Sequence, residues 1–416
     1  MDNRIHPSRR DFLKTAAAAA AGVVLGRVEP GWAAPKGVKI DRIEAFPVAY
    51  PMVGRFKFFE GPDGSRTGRP AVLVKITAEG GTVGWGQSVP VPKWSCETLE
   101  SATSTIRDYL APELIGKDVF DLVGAHRIMD RSIAPSFSTG APIAKAGIDT
   151  ALHDLTGKLT DQTLAQRWGR QGVETITLSW TVNPRELAEV DGLIDDGLKR
   201  GYRNFNVKVA PDPKFDLELC RQVKKRVPEG FLWADANGGY DLATALYAAP
   251  RLADIGVDVL EQPLPANRLA GYRQLRHQGA LPIYMDEGVV SPADLVEFIR
   301  LDLLSGVSMK PARCGGLLPA RREIEIALDA GLGWLASGLT DPDVSLAASL
   351  ALYGAYAYKL PAALNGPQFI DASVLQTPLR PKDGKLSVPA GAGLGVAVDE
   401  KKMESILVKE LMTKKR

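Results

Sequence analysis

The feature that most constrains the fold is a regular alternation of short apolar segments with helical segments, beginning after Gly172. The apolar segments have the length and composition of buried strands, and the segments between them have the spacing of amphipathic helices. Eight strands are predicted, at 175–181, 204–209, 231–236, 257–262, 282–286, 306–310, 333–336 and 362–364. The predicted helices include 184–200, 215–227, 242–255, 293–300, 319–330 and 344–358. Eight such units predict an α/β fold, a (β/α)8 TIM-type barrel.

The alternative is an open, doubly wound parallel sheet. Such a sheet carries a glycine-rich dinucleotide turn after its first strand. The corresponding residues, 181–184, read Thr-Val-Asn-Pro. The barrel is therefore the favoured prediction.

The segment before the barrel has a different pattern. Strands predicted at 39–49, 71–77 and 83–87 precede helical stretches at 97–130 and 144–158. Strands followed by helices indicate a separate α+β domain, and 416 residues suit two domains. The net charge of +2 gives no electrostatic footprint for nucleic acid.

The first residues, 1–34, have the layout of a targeting segment. A charged start that includes Arg9-Arg10 is followed by Phe12-Leu13-Lys14 and by an alanine-rich apolar run at 15–26. The paired arginines resemble a twin-arginine export signal, which implies the export machinery as a partner and the periplasm as the destination. Cleavage is expected near Ala33-Ala34, and an uncleaved segment would be a membrane anchor. The alternative is an ordinary basic amphipathic helix.

Three predicted barrel strands end in an acid: Asp235, Glu261 and Asp286. The spacings correspond to one β/α unit each, so the three carboxylates are expected to meet at the C-terminal mouth of the barrel. Neighbouring carboxylates repel each other unless a cation neutralises them. All-oxygen ligation favours Mg²⁺, with Mn²⁺ as the other candidate. The alternative for any single acid is a helix cap or a surface charge.

Two lysines flank these acids in the predicted barrel. Lys208 ends the second strand, Lys310 ends the sixth, and Asn206 points to the same side as Lys208 because strand side chains alternate. Strands two and six face each other across a barrel, so a metal-bound substrate would have one lysine on each face. A lysine in such a place can remove or donate a proton. The alternative is a structural network in which the lysines pair with Asp235 and Asp286.

Together these residues resemble the mandelate racemase / muconate lactonizing enzyme family of the enolase superfamily. The resemblance spans about residues 38–366 and depends on four motifs: Asp235-Ala236-Asn237, Glu261-Gln262-Pro263, Asp286-Glu287, and Lys-Pro-Ala-Arg-Cys-Gly-Gly at 310–316. It implies a capping domain at 38–165, a catalytic barrel at 170–366 and a C-terminal segment, 367–416, that returns to the cap.

The resemblance also implies roles for individual residues. Metal ligands would be Asp235, Glu261 and Asp286, and the acid/base lysines would be Lys208 and Lys310, as in the lactonizing branch. Supporting roles are implied for Asn237 and Glu287. A cap loop at 54–61 would close on the substrate, and its residues Arg55, Lys57, Phe58 and Phe59 suggest an anionic ligand with apolar parts. The alternative is that these residues pack on the rim of the barrel.

Two positions depart from the family pattern. Asn206 stands where this branch has a first lysine in Lys-x-Lys, so it cannot lower the pKa of Lys208 by charge repulsion. The seventh strand continues as Leu-Thr-Asp-Pro-Asp at 339–343. Asp341 there is interpreted as a substitute acid or as a ligand for a substrate amine, and a cap for the helix that follows is the alternative.

The function that the sequence predicts is a metal-dependent isomerase. It would abstract the α-proton of a small-molecule carboxylate and stabilise the enolate on Mg²⁺, as a racemase, epimerase or cycloisomerase does. A hydroxy-acid dehydratase is the alternative, because it shares the first half of that chemistry. An exported binding protein without catalysis is a third possibility. A homo-oligomer is expected.

Overall fold

The computed structural model describes residues 37–61, 63, 65, 67–135 and 138–413. The predicted export segment, 1–34, lies outside these residues. Within the part of the chain that is described, no helix is both long and apolar enough to cross a bilayer.

The first domain, called the cap below, is built on an antiparallel sheet of three strands, β1 (Ile40–Tyr50), β2 (Arg69–Ala78) and β3 (Val83–Ser88), in that order. Helix α4 (Pro142–Leu159) packs closely on this sheet. A Cβ atom at Gly86 would lie 1.9 Å from the carbonyl oxygen of Gly147, so this contact requires glycine. The three predicted strands and the predicted helix at 144–158 are therefore present.

The predicted helix at 97–130 is divided into shorter pieces. They are α1 (Leu99–Ser104), a π-helical turn (Thr105–Leu110), α2 (Ala111–Leu114) and α3 (Leu122–Ser132), and α5 (Leu164–Arg167) follows α4. The chain leaves the helical path at Ile115, which is extended, and at Gly116, whose φ of 79° is left-handed. Glycine adopts that conformation without steric cost.

The second domain contains a parallel sheet of seven strands in chain order. They are β5 (Trp180–Val182), β6 (Phe205–Lys208), β7 (Leu232–Asp235), β8 (Val259–Glu261), β9 (Ile283–Met285), β10 (Gly306–Met309) and β11 (Gly333–Ala336). The helices between and after them are α6 (Val190–Lys199), α7 (Pro213–Arg226), α8 (Leu242–Ile255), α9 (Leu269–Gln278), α10 (Pro292–Arg300), α11 (Leu317–Asp329) and α12 (Asp343–Ala355). The order lacks the reversal that defines a doubly wound sheet.

The predicted first and last barrel strands differ from the structure. The segment predicted as one strand at 175–181 is split: β4 (Thr175–Thr177) pairs antiparallel with β12 (Lys385–Ser387), and only β5 joins the parallel sheet. Residues 362–364 form no strand. Instead, single parallel bridges join Ala362 to Leu178 and Ala363 to Ser337, so this segment contacts both edges of the sheet.

The C-terminal segment contains α13 (Gly366–Phe369), β12 and α14 (Glu400–Ser405), and it returns to the cap. The Ala49 N–H donates to the Ile406 carbonyl at 3.0 Å, and the Val408 N–H donates to the Pro47 carbonyl at 2.8 Å. The largest apolar core continues from the cap into the parallel sheet.

Two buried charges join the cap to the second domain. Arg69 of β2 is 0% exposed and donates to the Leu339 carbonyl at 2.7 Å and, within the cap, to the Pro90 carbonyl at 2.8 Å. Asp149 of α4 accepts from the Leu317 N–H, the first residue of α11, at 2.5 Å. These bonds fix the cap over the C-terminal ends of β10 and β11.

Candidate active site

Three acids converge at the C-terminal ends of consecutive strands. Asp235 and Glu261 are paired in register on β7 and β8, and Asp286 follows β9 directly. One carboxylate oxygen from each lies within 4.8 Å of the others, and all three residues are buried. The structure therefore brings together the three acids that the sequence singled out.

Glu261 shows most clearly that this cluster suits a cation. Neither of its side-chain oxygens has a hydrogen-bond partner among the described residues. Burial, followed by repulsion from Asp235 and Asp286, raises its pKa well above the usual value. A bare carboxylate in that position is unfavourable, whereas a metal ion would satisfy its lone pairs. The all-oxygen donor set fits a hard divalent cation.

The other two acids are held by cations from the protein. Lys208 donates to Asp235 Oδ2, and Lys310 donates to Asp286 Oδ2. Arg313 donates to Asp286 Oδ1 at 2.7 Å. Burial raises the pKa of Asp286, but Lys310 and Arg313 outweigh it and hold that pKa below the ordinary value. Both carboxylates are therefore oriented, and the ionised form of Asp286 is favoured.

The two lysines lie on opposite sides of the acid cluster. Lys208 ends β6, beside Asp235, and Lys310 follows β10, beside Asp286. Lys310 is 5% exposed. Its burial lowers its pKa, but the carboxylates of Asp286 and Glu261 outweigh this effect, and the net shift is upward. The acid cluster therefore favours the ammonium form of Lys310.

A cavity connects these groups. Both lysines, Asp235 and Glu261 line it from the parallel sheet, and Phe59 lines it from the cap. The remaining lining residues are Phe56, Phe58, Val91, Trp94, Asn206, Asn237, Ser337, Gly338, Leu339, Thr340, Ala363 and Asn365. The cap side of the cavity is thus aromatic or aliphatic, and the polar groups come from the sheet.

Two asparagines predicted to support the site line this cavity. Asn206 is buried, and its Nδ2 has no hydrogen-bond partner in the described part of the chain. That N–H group is free to donate to a ligand oxygen. Asn237 donates from its backbone N–H to Asp235 Oδ1 at 2.9 Å and from Nδ2 to Asp235 Oδ2 at 3.2 Å. It therefore orients that carboxylate.

Outside the acid cluster, three predicted site residues do not line the cavity. Arg55 turns away: its Nε donates to Glu60 at 2.7 Å and its guanidinium to the Asn183 carbonyl at 2.9 Å. These two bonds hold Arg55 at the junction of the domains. Glu287 follows Asp286 directly and is half-buried, and burial with repulsion from Asp286 raises its pKa well above normal.

Asp341 is the third. Its carboxylate accepts from Ser345 Oγ at 3.0 Å, from Ser349 Oγ at 3.2 Å and from the Leu339 N–H at 3.3 Å. It is buried beneath the loop after β11 and does not reach the cavity as an acid or an amine ligand would. Pro342 is the N-cap residue of α12, so Asp341 is not the N-cap of this helix either.

Several residues at the site were not predicted to act there. Gln262 Oε1 accepts from the Asp286 N–H at 2.8 Å, and Arg313 binds the Asp286 carboxylate. Gln262 lies in the motif Glu261-Gln262-Pro263 and Arg313 in the motif at 310–316, so both lie beside residues that the sequence predicted to act at the site. Phe56 and Trp94 lie in cap loops, where no periodic pattern marks them.

Comparison with known proteins places the chain in a family. Residues 190–402 match the family described as enolase C-terminal domain-like, and residues 62–169 match the mandelate racemase / muconate lactonizing enzyme N-terminal domain. Residues 6–26, outside the described part, match the signal sequence of the twin-arginine translocation pathway.

Individual relatives agree with these matches. A chloromuconate cycloisomerase of Cupriavidus necator is 34% identical over 339 residues, which are 80% of this chain and 90% of that protein. An N-succinyl-L-Arg/Lys racemase of Bacillus cereus is 28% identical over 79% of this chain and 88% of that protein. A crystal structure of muconate lactonizing enzyme from Pseudomonas fluorescens complexed with muconolactone has a TM-score of 0.81 at 26% identity and covers 89% of this chain and 100% of that one.

A parallel sheet with an acid cluster at its C-terminal edge, closed by an α+β cap, defines an enzyme of the isomerase type found in the enolase superfamily. The chain belongs to the mandelate racemase / muconate lactonizing enzyme family. The resemblance inferred from the sequence motifs is thereby confirmed.

Proposed function

We propose that this isomerase transfers a proton at the α-carbon of a carboxylic acid with Lys208 and Lys310, one on each face of the substrate. The observation that carries the proposal is the position of the two ammonium groups on opposite sides of one buried acid cluster, both facing the same cavity. One lysine removes the proton at its Nζ, and the other can return a proton to the opposite face.

We infer that Asp235, Glu261 and Asp286 hold a divalent cation, with Mg²⁺ preferred and Mn²⁺ as the other candidate. The unpaired oxygens of Glu261 and the all-oxygen donor set support this assignment. When bound, the cation supplies positive charge that neutralises the three acids and stabilises an enolate.

The remaining polar groups of the cavity orient the substrate. We propose that the free Asn206 Nδ2 donates to an oxygen of the substrate carboxylate, because it is buried, unpaired and lines the cavity. The raised pKa of Lys310 favours its ammonium form, which is the form that donates a proton. The aromatic cap side of the cavity excludes water from the reacting carbon.

We also propose that the sheet forms a closed (β/α)8 barrel in which residues 362–364 take the eighth strand position. The bridges of Ala362 and Ala363 to the two sheet edges support this closure. The match of residues 6–26 to a twin-arginine signal supports export to the periplasm in the folded state.

The test is the exchange of α-protons in D₂O with added MgCl₂, followed by NMR. The panel contains both enantiomers of N-succinylarginine, cis,cis-muconate and a chlorinated muconate, because the names of relatives refer to acids of these types. It also contains both enantiomers of mandelate. We expect exchange or cyclisation with a member of this chemical class, and loss of at least about 10³-fold in Lys208→Ala or Lys310→Ala.

Lys224→Ala is the matched control, because Lys224 donates to the Gly230 carbonyl outside the cavity. It should retain wild-type exchange. Exchange that survives in both lysine variants would refute the two-lysine proposal. A 2-oxo acid product, detected with a carbonyl reagent, would instead indicate a dehydratase.

A further inference from the structure

Both proposed acid/base lysines lie beneath an aromatic ring that the cap supplies. The Lys310 Nζ is 4.7 Å from the centroid of the Trp94 ring, and the Lys208 Nζ is 5.8 Å from the centroid of the Phe56 ring. Both distances are within the range of a cation–π attraction. Each ammonium group therefore contacts an acid of the cluster on its sheet side and an aromatic face on its cap side.

The two rings are held by contacts that do not involve these lysines. Phe56 is 4% exposed and stacks on Phe369, with ring centroids 4.8 Å apart and an angle of 20° between the planes. Trp94 follows Lys93, whose ammonium group donates to the Glu60 carbonyl. This bond ties the turn that carries Trp94 to the loop that carries Phe56. The cap and the C-terminal segment together therefore determine where the rings lie.

A lysine side chain is a flexible four-carbon stem with a compact charge at its end. A single carboxylate contact fixes the charge at one point and leaves the stem free to rotate about it. A ring on the opposite side removes much of that freedom.

We propose that Trp94 and Phe56 are positioning residues, Trp94 for Lys310 and Phe56 for Lys208, so that each cap ring controls proton transfer at one face of the substrate. This inference rests on the two-lysine function proposed above. It assigns the cap a part in the chemistry that is separate from enclosing the substrate.

The simpler interpretation is that the rings only form an apolar wall. Phe58 offers a comparison, because it lines the same cavity from the same loop, while its cation–π partner among the described residues is Lys57, at 5.1 Å, and not a site lysine. Its ring also packs edge-on against the Phe56 ring, with centroids 5.4 Å apart, so Phe58→Leu is compared chiefly with Trp94→Leu. If the rings only form a wall, the three aromatic residues are equivalent: removing any of them weakens binding and leaves the site lysines in place.

The first test uses crystal structures of the full chain with MgCl₂, as wild type, Trp94→Leu, Trp94→Phe, Phe56→Leu and Phe58→Leu. We expect the Lys310 Nζ to occupy more than one position in Trp94→Leu, and a single position in Trp94→Phe and Phe58→Leu. Phe56→Leu should release Lys208 in the same way. Lysine positions unchanged in both Trp94→Leu and Phe56→Leu overturn the proposal whatever the activity.

The second test measures α-proton exchange of N-succinyl-L-arginine and N-succinyl-D-arginine separately. Trp94→Leu should slow, by about tenfold, exchange of the enantiomer whose exchange depends on Lys310, with kcat affected more than KM. Phe56→Leu should do so for the other enantiomer, and Phe58→Leu should change KM for both alike. Equal losses for both enantiomers in Trp94→Leu contradict the positioning role.

The two levels of the proposal fail separately. Wild-type exchange in Lys310→Ala would refute the underlying function and leave the crystallographic outcome standing. Strong loss in Lys310→Ala together with wild-type exchange in Trp94→Leu would refute the positioning role alone. Where this probe does not exchange at all, the crystal structures decide.

Discussion

Glu261 allows the strongest quantitative prediction, because it is a fully buried acid with no partner for either oxygen among the described residues. Its folded-state pKa lies well above the ordinary value of 4.5, so its contribution to stability is present below pH 4.5 and is lost as the pH rises. This burial without a partner therefore costs the metal-free protein stability, and the cost grows as the pH rises above 4.5.

Glu261→Gln removes this cost without breaking a hydrogen bond. We therefore expect the variant to be more stable than the wild type in EDTA, by a margin that grows from pH 5 to pH 7 and reaches about 1–3 kcal/mol, the usual cost of a buried polar group without a partner. The measurement is urea-induced unfolding of both proteins across that range.

Added MgCl₂ should reverse the order. A ligand present at 100 times its Kd stabilises the protein that binds it by about 2.7 kcal/mol, and the variant lacks one of the three acids. Glu97→Gln is the control: Glu97 is also a buried glutamate, but it accepts from the Ile143 and Ala144 N–H groups far from the cluster. It should keep the full magnesium-dependent shift.

The reasoning is refuted if Glu261→Gln is less stable than the wild type in EDTA at pH 7. It is also refuted if neither MgCl₂ nor MnCl₂ raises the unfolding midpoint of the wild type. The first result would mean that Glu261 has a stabilising partner, and the second that the cluster holds no cation.

Three further predictions follow from other parts of the structure. Burial raises the pKa of Glu97 to about 7, so the free energy of unfolding should fall as the pH rises from 4.5 to 7. In urea unfolding, Glu97→Gln should reduce this fall by up to about 3 kcal/mol. A pH dependence of stability equal to that of the wild type would contradict this. Arg55→Ala should change KM less than about twofold in steady-state kinetics, because Arg55 faces Glu60 and Asn183 and not the cavity. A tenfold rise in KM would show that Arg55 contacts the substrate. Gly86→Ala should yield no folded protein by circular dichroism, since its Cβ would overlap the Gly147 carbonyl, and a variant with a native unfolding midpoint would show that α4 can shift.

The acids and lysines of the site could be predicted because the β/α repeat is periodic. Asp235, Glu261 and Asp286 each follow a strand at an interval of one unit, so their meeting depends only on parallel strands in chain order. Lys208 and Lys310 are placed by the same rule. The sheet order and this part of the site therefore follow from local patterns.

Other features depend on contacts between distant parts of the chain. The predicted strand at 175–181 is split because the Leu178 N–H donates to the Gly384 carbonyl, which lies more than 200 positions away. Arg55 turns from the cavity because Asn183 offers it a carbonyl from the other domain. No pattern within a short stretch of sequence contains these partners, so the sequence alone could not predict these contacts.

The buried charges between the domains affect how this enzyme can be re-engineered. Arg69 is surrounded by carbonyl oxygens from both sides of the junction, and Asp149 binds the first turn of a helix that belongs to the other side. A cap taken from another family member would leave the carbonyl and N–H groups that face it buried without partners, unless it carried the same arginine and aspartate in the same places. New substrate preference is therefore more accessible by rewriting residues 54–61 inside the native cap than by exchanging the cap as a module.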